Sequence, residues 1–212
     1  MLPAIILFAK APIPGNVKTR LASWLGPERA AALHEAFVRD MVEILATLPA
    51  DLRIASDTMG AWNDLGMPVM LQRGAGLGER MRNAASDALD EGRPSVMLVG
   101  SDSPTVPRQH LFSILDSPAD VTLGPAEDGG FYAICFRRVQ PHMFDGVEWS
   151  SARTLSMTLC AMDRSGLNAA LGPSWFDADH PEDLLRLRAP GVLPPHTRRW
   201  MNAHWSALAA PE

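Results

Sequence analysis

Two short apolar runs set the tightest limit on how this chain folds. "AIILFA", residues 4–9, and "SVMLVG", residues 95–100, carry almost no polar side chain, and each runs straight into a loop rich in proline and polar residues. A strand wetted on one face alternates apolar with polar. A short unbroken apolar run instead fits a parallel sheet covered by helices on both faces. The covering helices are legible too. Residues 26–48 place Pro27 at a first helical position, followed by apolar residues at Ala30, Leu33, Phe37, Met41, Ile44, Leu45 and Leu48, a spacing of three and four. Further helices are expected at 78–92, 109–117, 150–166 and 181–189, and further strands at 51–56, 68–72, 120–125 and 131–137, the last two separated by "AEDGG".

This order predicts an α/β fold: a three-layer α/β/α sandwich with a mainly parallel, Rossmann-like sheet and right-handed crossovers. One domain is expected over 1–190, and 191–212, with Trp200 and Trp205, as a C-terminal tail forming a packed helix. At 212 residues and 47% hydrophobic content the chain is large enough for a single substantial core. A net charge of -5 argues against a general nucleic-acid binder, and no run approaches the ~20 apolar residues of a membrane span. Cys135 and Cys160 have neither disulfide-framework nor zinc-site spacing, so a reducing cytoplasm is the expected location.

In open α/β sheets ligands bind beyond the carboxyl ends of the strands, so loops that follow strands carry most weight. After the first strand comes "KAPIPGNVKTR", with Lys10, Lys18 and Arg20 and no acid before Glu28. A phosphate suits it: Gly15 lets backbone N–H groups approach an oxyanion, the lysines act as point charges, and Arg20 offers a two-pronged contact. Val17 stands where a Walker A loop needs glycine. "RGAGLGERM" places Gly74, Gly76 and Gly78 ahead of a helix, a pattern for close backbone approach to a nucleotide. Asp102, in "GSDSP", follows an all-apolar strand and is the candidate ligand for Mg²⁺ or Mn²⁺, with Asp179 of "WFDADHPEDL" as its partner. "GPAEDGGFY" reads as an Asp-Gly hairpin or as an acceptor grip through Asp128, Gly129 and Gly130. No Ser-His-Asp order or Gly-x-Ser-x-Gly elbow is present, so covalent hydrolase chemistry is not expected.

Taken in order, "FAKAPIPGNVKTRLA", "GSDSPTVP", "GPAEDGGFYAI" and "WFDADHPEDL" resemble the DUF2064 family, a "transferase 1" group found beside radical-SAM genes. The resemblance implies the GT-A fold of the nucleotide-diphospho-sugar transferase superfamily and a kinship with 2-phospho-lactate guanylyltransferases. It further implies a nucleotide held over the sheet, with the metal on Asp102. Trp149 and Ser150 join the candidate acceptor residues. The chain departs from the family pattern at His180, where threonine is common, and at Ser151 of "WSS".

Three functions follow as expectations. The first is nucleotidyl transfer from a nucleoside triphosphate to a small phosphorylated or carboxylated acceptor, with Lys18, Arg20 and Asp102 catalytic and Lys10, Gly15, Gly76 and Gly78 binding nucleotide. The second is glycosyl transfer from a nucleotide-sugar, and the third a nucleotide-binding module without turnover. The expected partners are a nucleotide, a small acceptor and a second copy of the chain, with neither nucleic acid nor membrane.

Overall fold

The computed structural model describes residues 1–188 and 193–208, and of 205–208 the backbone alone. Strands β1 (Ala4–Phe8), β2 (Asp51–Ser56), β3 (Val69–Leu71), β4 (Val96–Gly100), β5 (Val121–Pro125), β6 (Phe131–Phe136) and β7 (Ala169–Leu171) form one sheet in the order β3-β2-β1-β4-β6-β5-β7. All pairings are parallel except those of β6, which runs antiparallel to both β4 and β5. The helices are α1 (Thr19–Leu25), α2 (Pro27–Leu45), α3 (Leu77–Asp90), α4 (Arg108–Asp116), α5 (Thr154–Arg164), α6 (Pro181–Leu187) and α7 (Pro195–Leu208).

The apolar run of β1 is buried on both faces. Ile5 and Leu7 join one core cluster with Val38, Met41 and Leu45 of α2, whereas Ala4 and Ile6 join another with Met81, Ala84 and Ala85 of α3. Burying each leucine or isoleucine stabilises the fold by about 1.5–3 kcal/mol, which is why the two apolar runs occupy neighbouring positions at the centre of the sheet. The three-layer expectation is met.

The reversal into β6 follows from "AEDGG". Asp128 Oδ1 accepts the Gly130 N–H at 2.9 Å, and Gly129 sits at φ +90°, where any Cβ would collide with the Ala152 carbonyl. The amino end of β6 therefore lies at the same rim as the carboxyl ends of β1, β2, β4, β5 and β7.

Three local features differ from the sequence reading. Helix α1 lies directly after the basic loop, its seven residues too few to show a period, and buries Leu21 and Leu25. Strand β7 is only three residues long, "AAL", with no alternation to reveal it. The helix expected from residue 150 starts at Thr154, because Thr154 Oγ1 donates to the Glu148 carbonyl at 2.9 Å and Ser150 turns at φ +57°.

Helix α7, within the expected tail, packs against the rest of the described chain. Trp200 and Met201 of α7 are buried in a third core cluster with Leu33, Phe37, Leu184 and Leu187. Buried Asp40 of α2 caps α7, accepting the His196 N–H at 2.9 Å and the Thr197 N–H at 2.7 Å. The Trp205 side chain lies outside the described residues. Among those residues no helix is long and apolar enough to cross a membrane.

Candidate functional site

The rim of the sheet gathers residues from three loops around Lys18. Its ammonium lies 2.6 Å from Asp102 Oδ1, 2.9 Å from Asp179 Oδ1 and 2.9 Å from the Ala178 carbonyl. It also stands 5.0 Å over the Phe37 ring. Lys18 takes a left-handed conformation, φ 46° and ψ 43°, just ahead of α1. That costs a non-glycine residue about 1–2 kcal/mol, and the ion pairs it permits offset the strain.

Asp102 is delivered by β4, and Asp179 arrives by a longer route. After β7 the chain runs extended alongside the end of β5, with the Trp175 N–H on the Pro125 carbonyl at 3.0 Å and the Ala178 N–H on the Asp102 carbonyl at 2.8 Å. Extended backbone alternates its side chains. Phe176 and Ala178 are buried in the core, so Asp177 and Asp179 share the opposite side. Asp183 then opens α6 by accepting the Asp179 and His180 N–H groups at 3.0 and 2.8 Å, a cap that fixes Asp179.

Burial divides the cluster by role. The Lys18 side chain is 3% exposed, whereas those of Asp102 and Asp179 keep 41% and 34% of their surface open. The expectation of three uncompensated cations holds along the chain but not in space, because Lys18 is paired twice. It is a buried strut between two carboxylates that keep part of their surface open. Arg20, 55% exposed, places Nη1 3.6 Å from Asp179 Oδ2. Lys10 is exposed.

The charge states follow from this packing. Burial disfavours the charged Lys18, yet Asp102 and Asp179 outweigh it and raise its pKa. Burial likewise opposes ionisation of Asp102, but Lys18 prevails and holds it below the usual carboxylate range. Asp177 goes the other way: burial first, then the charge of Asp102, pushes it up to about 7, against the hydrogen bond from Ser103 Oγ. Two carboxylates thus pair with one buried ammonium, while Asp177, hydrogen-bonded to Ser103, holds its proton to higher pH than Asp102. The oxygen atoms that Asp102 and Asp179 leave open are hard donors of the kind Mg²⁺ or Mn²⁺ takes.

The glycines separate by role. A Cβ at Gly15, φ +85°, or at Gly76, which precedes α3, would meet nothing within 4 Å, so both stand beside open space. Gly78 differs: its Cβ would lie 2.9 Å from Phe144 Cβ and Trp149 Cζ2, so this glycine serves the packing of α3 against those rings. Trp149 packs edge-on to Phe131 and Phe144, half-buried, while Ser150 is exposed. Asp128 is committed to the hairpin turn, and the Gly129 carbonyl accepts the Leu155 N–H at 2.8 Å at the head of α5. Lys18, Arg20, Asp102 and Asp179 are brought together; Asp128, Gly129 and Gly130 form a turn on the same rim. Asp177, visible in the sequence as the first acid of "DAD" but given no site role there, lies on the same side of the segment as Asp179.

A tighter trio, Asp40, Glu43 and His196, has ligand atoms within 4.8 Å of one another. Its groups are already used: Asp40 caps α7, and Glu43 Oε1 meets His196 Nε2 at 3.0 Å.

Comparison with known proteins bears on family and fold. A family model described as an uncharacterised protein conserved in bacteria (DUF2064) matches residues 33–151. A solved structure from Desulfovibrio desulfuricans G20, whose name places it among nucleotide-diphospho-sugar transferases, is 32% identical with a TM-score of 0.87, covering 97% of this chain and 96% of that one. Two curated relatives are named 2-phospho-L-lactate guanylyltransferase. The one from Haloarcula marismortui is 28% identical over 82% of this chain and 81% of its own length. The one from Methanocella arvoryzae is 28% identical over 61% of this chain, a match spanning 56% of that protein's length.

Proposed function

The chain belongs to the DUF2064 family, and on that footing we propose that it is a divalent-metal-dependent nucleotidyltransferase. It joins the nucleoside monophosphate part of a triphosphate, GTP by analogy with the guanylyltransferase relatives, to a small acceptor bearing a phosphate or carboxylate. The observation that carries this reading is the convergence of Asp102 and Asp179 on buried Lys18 at the sheet rim, beside the basic loop.

An oxygen of the acceptor attacks the α-phosphorus, a new P–O bond forms, the bond from the α-phosphorus to the bridging oxygen breaks, and pyrophosphate leaves. No covalent enzyme intermediate is needed, so the chain's work is positioning and charge neutralisation. Asp102 and Asp179 would hold Mg²⁺ or Mn²⁺, which when bound supplies positive charge to the polyphosphate. Lys18 keeps the carboxylates in place from beneath. Lys10 and Arg20, both exposed, are the donors to phosphate oxygens. Gly15 and Gly76 leave room for the nucleotide.

One observation favours a second reading, glycosyl transfer from a nucleotide-sugar. Metal-chelating glycosyltransferases of this fold use an Asp-x-Asp pair, and Asp177-Ala178-Asp179, remote in sequence, is hydrogen-bonded against Asp102 through the Ala178 N–H.

A thermal-shift panel of GTP, CTP, ATP, UTP, UDP-glucose and GDP-mannose, each with and without Mg²⁺, separates the two, since a ligand that prefers the folded chain raises its melting temperature. Stabilisation by a triphosphate, followed by pyrophosphate release with 2-phospho-L-lactate or a related phospho-acid, supports nucleotidyl transfer. Stabilisation by nucleotide-sugars alone overturns it in favour of the second reading.

A further inference from the structure

Between β1 and Lys18 a single peptide unit is held by both of its polar ends. The Lys10 carbonyl faces His34 Nε2 at 3.0 Å, and the Ala11 N–H donates to Asp57 Oδ1 at 2.8 Å. These two backbone groups belong to one amide plane, so a side chain from α2 and another from the loop after β2 fix its position and its rotation together. The carbonyl only accepts, so Nε2 is the protonated ring nitrogen.

The surroundings make the hold stiff. His34 is 4% exposed, with the buried Trp62 ring 6.1 Å away. Burial, opposed by Asp102, keeps the imidazole pKa low and the ring neutral. Just before the clamp, the Ala9 N–H continues the sheet onto the Ala55 carbonyl at 3.0 Å. Just after it, Pro12 and Pro14 restrict the backbone, the Ile13 N–H closes on the Ala11 carbonyl at 2.8 Å, and the chain first turns freely at Gly15.

An amide at a wet rim satisfies its hydrogen bonds with water at little cost. Here a buried imidazole and a carboxylate do so instead, and the carboxylate stands beside a loop built for anions, where its charge repels the ligand. Local satisfaction does not require that arrangement; fixing the loop does.

We infer that His34 and Asp57 are positioning residues that clamp the Lys10–Ala11 peptide and so preset the basic loop for the polyphosphate of a nucleoside triphosphate. This rests on the nucleotide reading above. Neither residue touches the reacting atoms. Both act through Lys10 and the loop that ends at Lys18.

The test uses His34→Leu, His34→Gln, Asp57→Ala and, as a stability control in α2, Leu45→Ala. Two quantities are read: amide hydrogen exchange across residues 9–18 in the ligand-free protein, and the dissociation constant for GTP with Mg²⁺. The expected result is faster exchange in this loop and about tenfold weaker GTP binding for His34→Leu and Asp57→Ala. His34→Gln, which retains an N–H donor, should restore both. Leu45→Ala should lower the melting temperature with GTP affinity unchanged. Unchanged loop exchange in both loss variants, or GTP affinity that simply follows melting temperature across all four, overturns the clamp. Should the wild-type protein bind no nucleotide, the nucleotide reading falls, and the exchange data alone decide whether the peptide is clamped.

Discussion

Lys18 and Asp102 leave different strands, β1 and β4, yet their charged atoms meet at 2.6 Å with the lysine sealed from solvent and the aspartate open. This makes the lysine a structural counter-ion and the aspartate the solvent-facing partner. Lys18→Met should therefore destabilise the fold by about 2 kcal/mol. That is less than the ~3–5 kcal/mol for a fully buried pair, because Asp102 and Asp179 keep contact with water. Urea unfolding measures it, and a loss below about 0.5 kcal/mol would contradict the strut role.

Asp177 yields a pH prediction with a definite sign. Its carboxyl titrates at about 7 in the folded protein against 3.8 ordinarily. Between those values the unfolded chain has released the proton and the folded chain retains it, so stability falls as pH rises through this window and levels off above about 7. Asp177→Asn does not titrate. Its stability relative to wild type should increase from pH 4 to pH 7, and urea titrations at pH 5 and pH 8 give the comparison. A pH-independent difference would refute the shift.

Two glycines on the rim should respond in opposite ways. Gly129→Ala forces a Cβ into the Ala152 carbonyl at φ +90°, and should cost at least about 2 kcal/mol, visible as a lowered melting temperature. Gly76→Ala meets ordinary backbone geometry and empty space, so the melting temperature should hold while nucleotide binding weakens.

The docking of α7 depends on one side chain of α2. Asp40→Ala removes the acceptor for the His196 and Thr197 N–H groups and should cost about 1–2 kcal/mol, the usual range for a lost helix cap. Limited proteolysis should then cut near Pro195 sooner than in the wild type.

Much of this arrangement was legible in the sequence because the informative residues obey short-range rules. The runs at Ala4–Phe8 and Val96–Gly100 have the composition of doubly covered strands, and both proved central. Asp128-Gly129 marked the reversal into β6. What escaped is what only three dimensions create. Lys18 had no acidic neighbour along the chain, and its two partners come from the loops after β4 and β7. Gly78 belonged to a glycine cluster that looked nucleotide-facing, but Phe144 and Trp149, distant in sequence, explain its lack of a side chain. Strand β7 and helix α1 are too short to display a period, and tertiary packing, not propensity, holds them.

Calorimetric titration of GTP into the wild-type protein and Asp102→Asn, each with and without Mg²⁺, interrogates the carboxylate cluster most directly. Binding that needs Mg²⁺ in the wild type, and is lost or becomes indifferent to Mg²⁺ in the variant, is the predicted result. Equal binding in all four titrations would show that the nucleotide lies elsewhere and would contradict the account.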